Sequence, residues 1–185
     1  MDELIDIVDK QGHPTGRSAL KSVIHKQGLY HSTIHLWLYT NKGEILLQQR
    51  SHKKPICPLL WDVSVAGHID AGETEIIAAI RETKEEIGLS LEENQLKKIG
   101  TFLHESEYYN GSIKDNEFHQ VYISELKVPL EQLIPQEDEV EALKLVSTAE
   151  FKSLLKESEH NSHFVPSNRD YYEFVVKTIS KELDI

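Results

Sequence analysis

The 185-residue sequence has one cysteine, Cys57, so no disulfide can form within the chain, and a reducing compartment such as the cytoplasm suits it. It has no run of eighteen apolar residues, which argues against a membrane-spanning helix. The first ten residues, MDELIDIVDK, are acidic and carry no apolar stretch, so they do not read as a secretory signal. Basic residues are the minority. Lys and Arg total 20 against 31 Asp and Glu, a formal charge of −11, which argues against a nucleic acid polymer or an anionic membrane surface as partner. A cytoplasmic protein acting on a small molecule is expected, and no signal of oligomeric state is present. What remains is 39% hydrophobic content, enough for a sizeable core, in a length that fits one domain spanning 1–185.

Taken in order, Leu4 to Val8 alternates like a strand, and DKQGHP (9–14) supplies the turn of a small N-terminal hairpin. Ser18 stands where it could cap a short helix from Ala19 to about His25, ended by Gln27 and Gly28. Ile34 to Thr40 and Ile45 to Gln49 flank the turn residues NKGE (41–44) and form the clearest hairpin signal. Residues 51–60 contain two prolines and no period, so they read as a loop before a short strand, Trp61 to Ala66. Ile99 to Tyr108 and Glu117 to Leu126 read as strands around a polar loop in which Asn110 and Gly111 favour a turn. Pro129 to Asp138 is an acidic connection, Val140 to Val146 a strand, and Ala149 to Lys156 and Arg169 to Leu183 are helices. Helices and strands mix without strict alternation, as expected of an α/β fold with a mixed sheet.

The most informative stretch is Gly67 to Leu89, GHIDAGETEIIAAIRETKEEIGL. Wound as a helix at about 100° per residue, Glu75, Glu82, Glu85 and Glu86 share an arc of about 100°. Ile76, Ile80 and Ile87 centre about 140° away from Glu82, so they are expected to anchor the helix on a core. Ala78 and Ala79 flank the acidic arc and leave room for another element or a phosphate. Like charges at i,i+3 and i,i+4 repel by a few tenths of a kcal/mol each, unless a cation reverses the sign. A solvated acidic face is the ordinary explanation of such a run. The residues around it point elsewhere.

Gly67, then Glu73, then Arg81 and Glu82, then Glu85, Glu86 and Gly88 stand at the spacing of the seven fixed letters of the Nudix box, with Leu89 at its closing aliphatic position. The chain therefore resembles a Nudix hydrolase. Thr83 departs from the pattern, which usually has an aliphatic residue there, and this bears on packing more than on chemistry. The resemblance implies an α/β/α sandwich in which the box is a loop, a helix and a loop. It implies Glu82, Glu85 and Glu86 as ligands of Mg2+ or Mn2+ on a diphosphate, with Arg81 orienting a carboxylate. Mg2+ is a hard cation held by carboxylates, water and phosphate oxygens, so the residue types agree.

A second resemblance lies in the N-terminal half. IDIVDKQGHPTGRS, then Lys21, His25, Gly28, Leu29 and His31, then QQRSHKKP ahead of WDVSVAGH, looks like the Nudix branch related to type I isopentenyl diphosphate isomerase. The likeness runs from about Leu4 to Val176, with residues 1–30 as an N-terminal extension of the domain. By local pattern, the isomerase's metal ligands match His25, His31, His68, Asp115 and Glu117, with one insertion or deletion between the first two. A lone histidine is more often a surface or hydrogen-bonded residue than a ligand. Three at matching points beside an acidic pair carry more weight, and imidazoles with carboxylates favour Mn2+, Zn2+ or Fe2+ at a second divalent site. Lys21, Arg50 and Lys54 match the residues that bind substrate diphosphate, although solvated surface charge is their plainer explanation.

Isomerisation needs a cysteine just before the Gly-His pair, and here that residue is Ala66. Cys57 lies nine residues earlier and cannot be slid into register. Where the isomerase has an aromatic residue in the following strand, TFLHESE offers His104 or Glu105. The complete glutamate set is what diphosphate hydrolysis requires. The expected reaction is metal-assisted attack of water on phosphorus in an organic, nucleoside-type diphosphate, with Glu117 ranked ahead of Glu86 as the general base. Isopentenyl diphosphate isomerisation is the alternative, disfavoured by Ala66. Loops 51–60 and 105–116 are expected to select the organic group.

Overall fold

The computed structural model describes residues 2–161, 163–165 and 169–184. In chain order the elements are β1 (Leu4–Val8), β2 (Pro14–Leu20), α1 (Lys21–Gln27), β3 (His31–Tyr39), β4 (Glu44–Arg50), β5 (Trp61–Asp62), β6 (Val65–His68), α2 (Glu75–Ile87), β7 (Lys97–Tyr108), β8 (Ile113–Glu125), β9 (Val140–Ser147), α3 (Thr148–Asn161) and α4 (Arg169–Glu182). The nine strands make one mixed sheet. β3 and β8 run parallel from His31↔Glu117 to Tyr39↔Glu125, and the other edge of β3 takes antiparallel β6.

Side chains alternate across a strand, and β3 uses both faces. Ile34, Leu36 and Leu38 point to one side, where they pack with Ala78, Ala79 and Ile87 of α2 and with Tyr122. Trp37 and Tyr39 point to the other, joining Val121, Ile123, Phe151 of α3 and Tyr171, Tyr172, Val175, Val176 and Ile179 of α4. A strand buried on both faces reads as a nearly continuous apolar run, as ILWLY-type residues here do. Each fully buried aliphatic side chain contributes about 1.5–3 kcal/mol. The outcome is the expected α/β/α sandwich. Among the described residues, no helix is long and apolar enough to cross a membrane.

Several local expectations change. Ser18 lies in β2, where its hydroxyl donates to Asp6, and α1 begins after Leu20 without a side-chain cap. The strands at 31–39 and 44–50 pair only at Tyr39↔Ile45 and then splay, β4 turning to β9 and β5. The strand expected over Trp61 to Ala66 is two pieces, because Val63 and Ser64 carry the chain from β5 beside β4 to β6 beside β3. The turn at Asn110 and Gly111 is present, with φ of 56° and 80°.

α2 also seats itself differently. Its buried residues are Ala78, Ala79, Thr83, Glu86 and Ile87, while Ile76 and Ile80 are half-buried and Ile77 is exposed. The packed face is therefore made chiefly of small residues, and it overlaps the acidic arc instead of opposing it. Thr83 fits because its hydroxyl donates to Ala79 O at 2.6 Å. Glu75 leaves the acidic set, accepting hydrogen bonds from Lys98 and from Tyr122 at 2.7 Å.

Candidate functional site

The face of the sheet covered by α3 and α4 turns polar toward one end. Paired residues on neighbouring strands share a face, and the pairs there are His31↔Glu117, Glu117↔His104, Thr33↔His119, Thr33↔His68 and His35↔Ala66. A cleft of about 720 Å³ opens over them.

At one side of this cleft His25 of α1, His31 of β3 and His68 of β6 each offer a ring nitrogen, all within 4.8 Å of one another. His31 Nδ1 donates to Leu29 O at 3.1 Å, which leaves the lone pair of the neutral ring on Nε2. That nitrogen lies 3.5 Å from Glu117 Oε1. His68 Nδ1 lies 3.5 Å from Glu3 Oε2, and burial holds this imidazole well below its ordinary pKa of 6.5, with Lys21 adding to the effect. The buried atoms His25 Nδ1, His31 Nε2, His68 Nε2 and Asp115 Oδ1 have no hydrogen-bond partner among the described residues. Buried polar atoms are rarely left so, and a shared cation satisfies all four at once. Three imidazoles with two carboxylates fit Mn2+, Fe2+ or Zn2+.

The second group comes from α2. A Cβ on Gly67 would lie 2.1 Å from Glu82 Cδ, so the absence of a side chain there is what lets the Glu82 carboxyl rest against β6. Arg81 ties the acidic residues together. Its Nε and Nη2 hold Glu73 at 3.1 and 2.8 Å, Nη1 reaches Glu82 at 2.7 Å and Glu85 at 3.2 Å, and Nη2 also donates to His68 O. Glu86 is buried, its Oε2 accepting from Gln48 Nε2 at 3.2 Å and Ala66 N at 3.3 Å, which leaves Oε1 unbonded among the described residues. Burial, with Glu82 close by, pushes its pKa up to about 8. Burial also raises Glu82 despite Arg81. Such crowding of buried carboxylates is what a cation would relieve.

Opposite stand Lys21, Arg50 and Lys54. These three and the three carboxylates Glu82, Glu85 and Glu86 all line the cleft. Lys21 pairs with Glu3 at 3.0 Å, Lys54 with Glu139, and Arg50 with Asp62 at 3.3 Å while its Nε donates to Ile56 O. Ala66 is on the lining too, whereas Cys57 is not among the lining residues.

The expected ligands, Arg81 and the three basic residues all line the cleft except His31, which stands at its histidine side, while Glu75, Cys57 and Glu105 lie off it. Three more escaped attention as a group. His35 and His119 stack with centroids 3.8 Å apart, and His104 stacks on His119 at 5.3 Å. Period-2 alternation was the signal, since His31, Thr33 and His35 share a face, as do Glu117 and His119. Of the two residues offered by TFLHESE, His104 lines the cleft and Glu105 is exposed, accepting from Tyr30. Glu117 is half-buried, which favours its neutral form, but hydrogen bonding, chiefly from His119 Nε2 at 3.1 Å, outweighs this and holds it well below the usual carboxylate range.

Comparison with known proteins agrees with this geometry. Residues 29–167 match the family description NUDIX domain. The chain is 37% identical over 168 residues to Nudix hydrolase 3 of Arabidopsis thaliana, covering 89% of this chain but 22% of that much longer protein. It is 35% identical over 156 residues to isopentenyl-diphosphate Delta-isomerase 2 of Photorhabdus laumondii, covering 84% of this chain and 83% of the other. The crystal structure of DR0079 from Deinococcus radiodurans superposes with a TM-score of 0.70 at 18% identity, over 96% of this chain and 99% of that one, and so shares the fold. From box, fold and relatives together, the chain belongs to the Nudix family, on the branch that includes the isopentenyl-diphosphate isomerases.

Proposed function

We propose that this chain, read as one Nudix domain over 1–185, hydrolyses the phosphoric anhydride bond of an organic, nucleoside-type diphosphate. The observation that carries this reading is the meeting of Glu82, Glu85 and Glu86 with Lys21, Arg50 and Lys54 across one cleft. Glu82, Glu85 and Glu86 would hold Mg2+ or Mn2+, and His25, His31, His68, Asp115 and Glu117 a second divalent ion. When bound, such ions neutralise phosphate oxygens and lower the pKa of a bound water.

The chain's own residues supply the rest. Arg50 binds two phosphate oxygens as a planar fork, and Lys21 and Lys54 add point charges, so the diphosphate is held across the mouth of the cleft. Arg81 keeps the glutamates in register through Glu73. Glu86 is buried and Glu117 half-buried, and their proton affinities diverge. Glu117 is engaged by His119 and held low, whereas Glu86 is pushed up and keeps Oε1 unbonded. Glu117 and Glu86 both stay candidates for the base that takes the proton of the attacking water, Glu117 first because it is held as a carboxylate. Ala66 has no titratable group, and its amide is spent on Glu86. This counts against isomerisation, which needs proton transfer at that position. The test is a phosphate-release screen over nucleoside diphosphates and triphosphates, sugar nucleotides, coenzyme A and prenyl diphosphates, with Mg2+ and Mn2+ compared. Release from at least one of these supports the reading, and conversion of isopentenyl to dimethylallyl diphosphate without release overturns it.

A further inference from the structure

The cleft also carries a wall of which the proposed chemistry uses only His119, as the partner of Glu117. His35, His104 and His119 line it, together with Tyr108 and Ile113. The three rings form a column, His104 on His119 and His119 on His35, with interplanar angles of 24° and 21°. Stacking of this kind fixes ring positions, so the wall is a rigid one.

Its protons are fixed as well. Trp37 Nε1 can only donate, and it donates to Tyr171 Oη at 2.8 Å. The buried Tyr171 hydroxyl has no other acceptor among the described residues, so its proton is satisfied when it donates to His35 Nδ1, also at 2.8 Å. His35 accepts there and keeps its own proton on Nε2. Burial favours the neutral form of His35, with the neighbouring imidazole of His119 acting in the same direction. His104 is lowered by burial too. His119 Nε2 is engaged with Glu117 at 3.1 Å, which leaves Nδ1 without a partner among the described residues. No described residue bonds His35 Nε2 or either nitrogen of His104. The wall therefore offers the cleft ring nitrogens whose hydrogen-bonding capacity no described residue takes up.

We propose that the His35–His119–His104 column is the subsite for the substrate's organic group, and that it selects a polar uncharged group such as a sugar or nucleobase over a hydrocarbon chain. A prenyl chain seated there would bury imidazole nitrogens without partners, whereas hydroxyl or amide groups would satisfy them. The inference rests on the reading of the cleft as an organic diphosphate site. It names which diphosphates fit.

The test compares equilibrium binding of ADP and of geranyl diphosphate, two compounds with the same phosphate end, in the presence of Mg2+. Binding is measured on the full chain carrying Glu86→Gln to prevent turnover. ADP is expected to bind at least about ten-fold tighter, the low end for one buried polar group left unpaired. Adding His35→Phe and His104→Phe, which keep a flat ring and delete the nitrogens, is expected to erase that preference by weakening ADP alone. His104→Gln, which keeps a donor and an acceptor, is expected to retain it. A preference for geranyl diphosphate, or an equal loss of both ligands in the Phe variants, overturns the inference. Phosphate release by the unsubstituted chain is a separate readout. Its failure would count against hydrolysis, and a failed binding preference counts against the column alone.

Discussion

His25 Nδ1 and Asp115 Oδ1 stand 2.7 Å apart, both buried, without the geometry of a hydrogen bond. Two groups that close would both be satisfied by a shared ion, as proposed for this site. The same holds for His31 Nε2 and Glu117 Oε1, where Leu29 O has already taken the ring proton. The metal-free protein is then expected to bind Mn2+ or Zn2+ with a rise in melting temperature that a chelator reverses. His31→Ala should weaken that binding more than about ten-fold. Glu3→Gln, which removes the carboxylate beside His68 Nδ1, should weaken it by about ten-fold while sparing the fold. Calorimetric titration of the three proteins checks both.

Glu86 links protonation to stability. Its pKa is about 8 in the folded chain against an ordinary 4.5, so the unfolded state loses the proton first as pH rises. The stability it contributes is complete below about 4.5, declines between 4.5 and 8, and levels off above. Metal-free denaturation curves at several pH values should show that decline, and Glu86→Gln should flatten it. Since a metal needs the ionised carboxylate, Mg2+ affinity should rise with pH up to about 8 in the unsubstituted chain.

Gly67 is required for space, not for backbone freedom. In Gly67→Ala the new methyl would meet the Glu82 carboxyl at 2.1 Å, and Glu82 must move. Turnover should fall about 100-fold, the usual cost of displacing a reacting-site group by about 1 Å. The melting temperature should change little, because β6 keeps its pairing with β3. Steady-state rates read beside a thermal scan separate the two effects.

Much of this arrangement was legible in the residues. The box spacing located Glu82, Glu85 and Glu86, and the N-terminal pattern located the three histidines and the three basic residues, because their order along the chain survives folding. What was not legible depends on neighbours distant in sequence. The seating of α2 on Ala78, Ala79 and Thr83 follows from how closely the sheet approaches, which no helical wheel contains. The splaying of β3 from β4 reflects competition by β6, β8 and β9 for their edges. The stacking of His35, His104 and His119 needs three strands aligned in register.

Ala66 makes a sharp negative expectation. With no acid or base at that position and Cys57 outside the cleft lining, isopentenyl diphosphate incubated with the protein and both metals should yield no dimethylallyl diphosphate. Product analysis by NMR decides this. Any enzyme-dependent conversion would mean that another residue supplies the proton.

The central claim is that the carboxylates of α2 act with a divalent ion on a diphosphate held by Lys21, Arg50 and Lys54. Metal-dependent phosphate release, measured for the unsubstituted chain beside Glu85→Gln and Glu86→Gln, tests it most directly. The expected result is release that needs Mg2+ or Mn2+ and falls by several orders of magnitude in both variants, with melting temperatures showing that each remains folded. Near-unchanged rates in either variant with every diphosphate tested would contradict it.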